Sequence, residues 1–468
     1  MTNPITNLKR TIYHSIYFVI LFFTILPSCK KDKKPDYPIG SNENINTWIL
    51  DSLKRYYYWN EQLPANPNLG LPPKDFFNSI RNLSDRFSYI SIPNDPTTTT
   101  PSNRNFGFDY ATVSDQNSAN VIGIIKIVLK DSPASRAGLK RGDYISKING
   151  KTLTATNAQA LQSEILSSDR FSLGLAELKN NTWTDTYTVE LSKSIILDQR
   201  EISKVIENNG KKIGYLYFLD FNSGLASSLT PVFSNFKAEG ISELILDLRY
   251  NAGGQVAEAA GICAMIARNI SFDKPFITYK GNKNGGMKTE SIGTAATFDG
   301  TVNFNTLLQQ NLGLSRVYIL STAGTASASE VIINNLKPFM QVVLIGEKTR
   351  GKDEASFRIF DARNPKQVKW EMHPIVYKLF NAQGNGGYSA GINPDITINE
   401  MSTLPLFQLG DTSDPLVKAA ITAITGQAIK TSVTVNNVVS GSFRADRILM
   451  DSRAQSAQQS TVTTHRLR

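Results

Sequence analysis

A serine, a lysine and a pair of glycines stand in this chain where they could carry acyl-transfer chemistry. The serine is Ser327, in Thr325-Ala326-Ser327-Ala328-Ser329-Glu330, ahead of the apolar run Val331-Ile332-Ile333. Read locally, Ser327 and Glu330 make a capping box, in which a hydroxyl and a carboxylate satisfy the first N–H groups of a helix. The same position suits a nucleophile, because free N–H groups and the positive end of a helix dipole favour developing negative charge. The lysine is Lys352, closing Gly346-Glu347-Lys348-Thr349-Arg350-Gly351-Lys352. Taken alone it reads as a solvated surface lysine, the ordinary fate of that residue. Set on a glycine turn, after a strand neighbouring the serine's strand, it can instead reach back to the hydroxyl. Gly253 and Gly254 end the run Leu246-Asp247-Leu248-Arg249-Tyr250-Asn251-Ala252. They serve a tight strand-to-helix turn, or they aim backbone N–H groups at a ligand.

Other chemistries are constrained by what the sequence is short of. Three histidines occur, His14, His373 and His465. A Ser-His-Asp triad needs one in reach of the serine. His14 belongs to the N-terminal apolar region, His465 to the tail, and His373, before Pro374 in an expected strand, reads as structural. With two cysteines, Cys29 and Cys263, neither a disulfide framework nor a multi-Cys/His metal site is expected. No metal and no cofactor is called for. The net charge of +10 is scattered, apart from Lys30, Lys31, Lys33 and Lys34. It comes with no zinc-finger or RNA-binding signature, so nucleic acid is not an expected partner.

Strands and helices must place these residues. At 41 % apolar and 19 % charged, the 468 residues are globular in composition, and their number suggests about three domains. Ile45, Trp48, Ile49, Leu53 and Tyr56 fall at helical spacing, and a second helix is expected over Asp75–Leu83, giving a helical domain over 43–95. Pro93-Asn94-Asp95-Pro96 and the threonines after it read as a linker. Short strands and turns follow over 104–195: Phe106-Gly107-Phe108, an apolar strand Val121–Leu129, a short helix in Ser132–Leu139, a strand Tyr144–Ile148 and the turn Asn149-Gly150. Over 196–426 strands and helices alternate, with strands expected at Ile213–Phe218, Glu243–Leu248, Arg316–Leu320 and Val342–Ile345. This is an α/β pattern, with helices covering a sheet. Asp414 and Pro415 open a last helix that Gly426 closes. Residues 427–468, rich in Ser, Thr, Gln and Val, read as a tail outside the core.

At the N-terminus Lys9 and Arg10 precede the apolar run Ile16–Leu26, too short for an ordinary span and right for a signal-peptide core. Leu26-Pro27-Ser28-Cys29 follows. This resembles a bacterial lipoprotein signal over 1–28, which implies a lipidated Cys29, a tether over 29–42, and a cell-envelope protein anchored to a membrane by its lipid.

Two further resemblances cover about Asn105–Gly426. The run SPASRAGLKRGDYISKINGKTL resembles a PDZ domain. In such domains a loop like Phe106-Gly107-Phe108 offers N–H groups to a peptide's terminal carboxylate, and the peptide pairs along a strand edge. The combination DLRYNAGG, TASASE and GEKTRGK, with the later Gly391-Ile392-Asn393-Pro394-Asp395, resembles the C-terminal processing peptidases. That likeness implies a ClpP/crotonase-like peptidase core behind a PDZ-like β-domain and a helical N-terminal domain. It implies Ser327 as nucleophile and Lys352 as general base. Ala328 with Gly253 or Gly254 would form the oxyanion hole. Many members carry a lysine-orienting glutamine where this chain has Ser356; either Ser356 or Glu354 substitutes for it, or the orienting role is lost. The implied function is a serine endopeptidase acting on envelope proteins or peptides. Two alternatives are a catalytically weak or inactive peptidase-fold lipoprotein acting as a peptide-binding module, against which the presence of both Ser327 and Lys352 speaks, and an acyl-CoA hydratase-like enzyme, against which the signal and PDZ-like segments speak.

Overall fold

The structure, a computed structural model, describes residues 37–93, 95, 105–114, 121–180, 182–195, 201–426, 447–453 and 464. The signal-like segment 1–28, Cys29, His14 and His465 lie outside the described residues, as do parts of the tether, the linker and the tail. Among the described residues, no helix is long and apolar enough to cross a membrane.

The chemistry-bearing turns hang from a six-stranded sheet. Its order is Ile396–Thr397, Gln341–Gly346, Arg316–Ser321, Glu243–Asp247, Lys211–Tyr217 and Ile202–Asn208. All neighbours pair in parallel except the last two, which form a hairpin. Parallel strands are covered on both faces, which is why Glu243–Asp247 is buried along its whole length. Alternate residues feed two cores. Leu216, Leu244, Leu246 and Ile319 pack beneath the helices Thr230–Glu239, Val256–Ile266 and Ala328–Leu336. Tyr215, Ile245, Tyr318 and Leu320 pack against Pro415–Thr425 on the other face. That last helix starts as its sequence requires: the Asp414 carboxylate accepts from Leu416 N and Val417 N at 3.0 and 3.2 Å.

A second sheet, in the order Met287–Ser291, Pro275–Lys280, Ile375–Asn381 and Glu354–Ser356, is antiparallel throughout. The N-terminal helices Asn42–Tyr56 and Pro73–Ile80 pack together over Ile49, Leu53, Phe76 and Phe77. The second of them begins and ends earlier than Asp75–Leu83, because proline is well suited to a first helical turn and the chain turns extended at Arg81. A strand from this domain, Tyr89–Ser91, joins Glu371–His373 and so ties it to the half of the chain that carries Ser327 and Lys352.

The PDZ-like region is a sheet in the order Phe108–Ser114, Val121–Val128, Tyr144–Ile148, Arg170–Lys179 and Thr182–Ser192, with the helix Ala158–Ser167 against it. Asn149 and Gly150 both take positive φ, as a two-residue hairpin turn needs. One expectation is corrected here. Part of the stretch read as a tail outside the core belongs to this sheet: Arg447–Asp451 pairs antiparallel with Phe108–Ser114. Met450 enters the apolar cluster of the domain. A strand whose partner lies more than three hundred residues earlier leaves no local periodic trace.

Candidate active site

Ser327 stands between the strand Arg316–Ser321 and the helix Ala328–Leu336, at φ 68° and ψ −120°. A non-glycine residue at positive φ is strained and persists only where its surroundings enforce it. Those surroundings are visible. Asn251 O accepts from Ala326 N at 3.0 Å and from Ser329 Oγ at 3.1 Å, so the serine's flanks are both held by one carbonyl. Thr325 Oγ1 donates to Leu248 O at 2.9 Å.

The capping box is half made. Glu330 accepts from Ser327 N at 2.8 Å, but Ser327 Oγ is buried and has no hydrogen-bond partner. The hydroxyl is therefore not used in capping. Glu330 also accepts from Thr349 Oγ1 at 2.5 Å, and from Gly351 N and Lys352 N at 2.7 Å each. Burial raises the carboxyl's pKa, while those hydrogen bonds pull it back. The side chain is a brace between the serine turn and the lysine turn.

Lys352 is buried, 1 % exposed, not solvated. Burial is the main force on it and pulls its pKa down to about 7; Arg350 adds to this, while Glu354, Glu330 and Asp85 pull it back. Its Nζ lies 4.7 Å from the centroid of the Phe87 ring. Arg86, next to that phenylalanine, donates through Nη2 to Gly351 O at 2.5 Å and Ser389 O at 2.7 Å. The N-terminal domain thus walls the lysine, which nothing in the sequence around Asp85-Arg86-Phe87 signals. Gly351 takes φ +84°, and a Cβ there would stand 2.4 Å from Gly391 N and Ser389 O. The Gly391-Ile392 loop therefore packs directly on the lysine turn, and Ile392 N donates to Thr349 Oγ1 at 2.8 Å.

Gly253 touches the serine: a Cβ on it would lie 2.4 Å from Ser327 Cβ, 2.5 Å from Ser327 Oγ and 2.8 Å from Ala328 N. Its own N–H donates to Asn251 Oδ1 at 2.9 Å. Gly254 is at φ +146°, pressed against Phe221. Ala328, as the first helical residue, has an N–H with no carbonyl one turn earlier to receive it. Asn251 was not singled out from the sequence. An Asn two residues before a Gly is an Asx-turn signal that could have found it.

The remaining candidates fall as follows. Ser356 lies in the strand Glu354–Ser356, and its buried Oγ has no hydrogen-bond partner. Glu354 pairs with Lys378 at 2.5 Å and acts on Lys352 through its charge. His373 stacks on Tyr89 with ring centroids 4.7 Å apart. Burial, then Arg358 and Lys352, lower its pKa to about 4, so it is neutral at pH 7. In the PDZ-like region Phe106 and Phe108 point into the core, and Gly107 between them has φ +81°. The described residues contain no His/Cys/Asp/Glu group able to hold a metal ion.

One polar cluster joins the PDZ-like region to the half that carries Ser327 and Lys352. Arg141 donates to Glu400 Oε1 at 2.5 Å and to Tyr250 Oη at 2.8 Å. Arg249, fully buried, donates to the same Glu400 oxygen at 2.9 Å, and also to Asp247 and to Asp414. Burial alone would raise the Glu400 pKa, but the two guanidiniums outweigh it and hold it at about 2.

Comparison with known proteins gives three family matches in chain order. Residues 44–89 match the peptidase S41 N-terminal domain, 124–173 a PDZ domain, and 212–398 peptidase family S41. A CtpA-like serine protease of Staphylococcus aureus strain COL is 25 % identical over 295 residues, covering 60 % of this chain and 53 % of that protein. A carboxyl-terminal-processing protease of a Picosynechococcus strain is 26 % identical over 312 residues, 65 % of this chain and 67 % of that one. The chain thus spans about half the length of the staphylococcal relatives it matches. The crystal structure of a Bacteroides fragilis protein assigned as an S41 protease superposes with a TM-score of 0.67 at 27 % identity. It covers 85 % of this chain and 100 % of its own.

Proposed function

Starting from a chain that belongs to peptidase family S41, we propose that it is a serine endopeptidase working through a Ser327/Lys352 dyad. The supporting observation is the pairing of a strained, buried Ser327, whose hydroxyl has no hydrogen-bond partner, with a buried Lys352 braced to it through Glu330. Neutral Lys352 takes the Ser327 proton as Oγ attacks the scissile carbonyl. The Ala328 N–H stabilises the oxyanion; Gly253 joins only by releasing Asn251 Oδ1, and Gly254 lies beside them. The lysine then gives its proton to the leaving amine. A water, deprotonated by the same lysine, hydrolyses the acyl-enzyme and restores the serine. Glu354 biases the lysine through its charge, while Ser356 lacks the reach of a glutamine side chain.

The substrates of this reading are envelope proteins or peptides, with C-termini received at the Phe106-Gly107-Phe108 loop. The sequence before Cys29 supports a lipid anchor on that cysteine in a bacterial envelope. Mass spectrometry of the mature chain tests the anchor: a chain starting at an unmodified residue other than Cys29 rules it out.

Ser327→Ala and Lys352→Ala should each lower peptide turnover by at least about a thousandfold with the fold kept, because nucleophile and base act as one unit. A fluorophosphonate should label the native chain and not Ser327→Ala. A folded chain that takes no label would instead favour a peptide-binding module on the same fold.

A further inference from the structure

The free edge of the PDZ-like sheet is filled by the chain itself. Phe108–Ser114 has Val121–Val128 on one side and Arg447–Asp451 on the other. Ser114 faces Arg447 and Ala111 faces Asp451, so the added strand runs antiparallel and advances toward the Phe106-Gly107-Phe108 loop. This is how an extended peptide adds to a sheet edge. Met450 is buried in the cluster of Phe106, Phe108 and Leu161. Asp451 pairs with the buried Lys126 at 2.7 Å. Ser452 Oγ accepts from Tyr110 N at 3.0 Å and donates to Asp109 at 2.9 Å.

Beyond the groove the segment turns to the catalytic half. Arg453 Nε donates to Tyr250 O at 2.5 Å, one residue before Asn251, and its Nη2 donates to Asp220 at 2.9 Å. Thr464, also buried, donates its N–H to Ser356 O at 3.0 Å and its hydroxyl to Tyr279 Oη at 3.2 Å. Glu354–Ser356 is an edge strand of its sheet and starts two positions after Lys352. Thr464 therefore bonds to the backbone edge nearest in sequence to the lysine, where an incoming polypeptide could pair.

We propose that this C-terminal segment is a built-in ligand: Arg447–Asp451 fills the PDZ-like groove in cis and Thr464 occupies the edge strand beside the dyad, so that a foreign polypeptide must displace it. The inference rests on the peptidase reading above. It deepens that reading by naming what competes for both sites. An occupied groove weakens a free peptide's apparent affinity in proportion to the fraction of chains in which the segment is seated.

The test uses the full chain. Met450→Asp with Arg453→Glu loosens the segment by removing its apolar anchor and reversing the charge that faces Asp109 and Asp220. Ser114→Cys with Arg447→Cys, in a Cys29→Ser background, clamps it, since direct antiparallel neighbours lie within disulfide reach. A fluorescein-labelled peptide of the sequence 444–453 with a free carboxylate is the binding probe, titrated into chains that also carry Ser327→Ala. Casein is the turnover substrate for chains with the native serine. The loosened chain should bind the peptide at least tenfold more tightly and cleave casein faster by a similar factor. The oxidised clamp should bind and cleave less, and recover on reduction. Equal affinity and turnover in all three chains would overturn the inference, and so would a clamp that forms no disulfide. A loosened chain that binds more tightly yet neither cleaves casein nor takes the fluorophosphonate upholds the inference and removes the peptidase reading instead.

Discussion

The backbone N–H groups of Ser327 and Lys352 donate to the same oxygen, Oε2 of Glu330, at 2.8 and 2.7 Å. The serine turn and the lysine turn are thus registered against each other by one carboxylate and do not depend on the two loops holding position separately. Glu330→Gln keeps the shape but turns an amide NH2 toward N–H donors, and a buried donor left unmatched costs about 1–3 kcal/mol. The expected result is a fall in kcat of about tenfold or more with KM little changed. Because the Glu330 charge raises the Lys352 pKa, its loss should also move the rising limb of the pH profile to lower pH. A variant with native kcat and an unmoved limb would show that the brace is not used.

The pH profile itself follows from Lys352. Its pKa of about 7 predicts activity that rises through neutral pH toward a plateau as the ammonium loses its proton. His373, near 4, should not contribute, so His373→Ala should keep the limb. Stability carries the complementary sign. Between about pH 7 and 10 the unfolded chain holds a proton at this lysine that the folded chain does not, so the lysine's contribution to stability rises with pH across that window. Lys352→Met should therefore be more stable than the native chain at pH 7, with the gain shrinking toward pH 10. Denaturant midpoints at several pH values measure it; a gain independent of pH would mean that the native lysine is not desolvated.

Gly253 is predicted to tolerate no side chain. Gly253→Ala would place Cβ 2.5 Å from Ser327 Oγ on a residue at φ +102°. Strain of this kind costs about 1–3 kcal/mol. The variant should lose most of its reaction with a fluorophosphonate while its unfolding midpoint drops by that modest amount. A normally labelled Gly253→Ala chain would mean that the serine and the glycine loop move apart in solution.

How much of this was readable in the sequence depends on the range of the contact. The strands and helices around Ser327 and Lys352 were legible because buried apolar runs and caps are local signals. The Ser/Glu spacing was legible too, but as a complete capping box. The structure keeps the Glu330 half and frees the hydroxyl, because the positive φ of Ser327 turns its side chain out of capping position. Phe87 under Lys352, Arg86 on Gly351 and Thr464 on Ser356 were not legible. Each joins residues far apart in sequence, and a single phenylalanine, arginine or threonine carries no mark of the partner it will meet.

Glu400 receives one guanidinium from each side of the boundary, Arg141 from the PDZ-like region and Arg249 from the half that carries Ser327, both at Oε1. Withdrawing Arg141 by a few ångströms would strand a guanidinium in surroundings too dry to solvate it and leave Glu400 with half its compensation. Breaking a buried pair in this way costs about 3–5 kcal/mol. Small tilts of the PDZ-like region are therefore unfavourable throughout, and relief comes only when water reaches the separated charges. The boundary should act as a detent that resists small tilts, and dissolved salt, which screens buried pairs poorly, should hardly loosen the seated position.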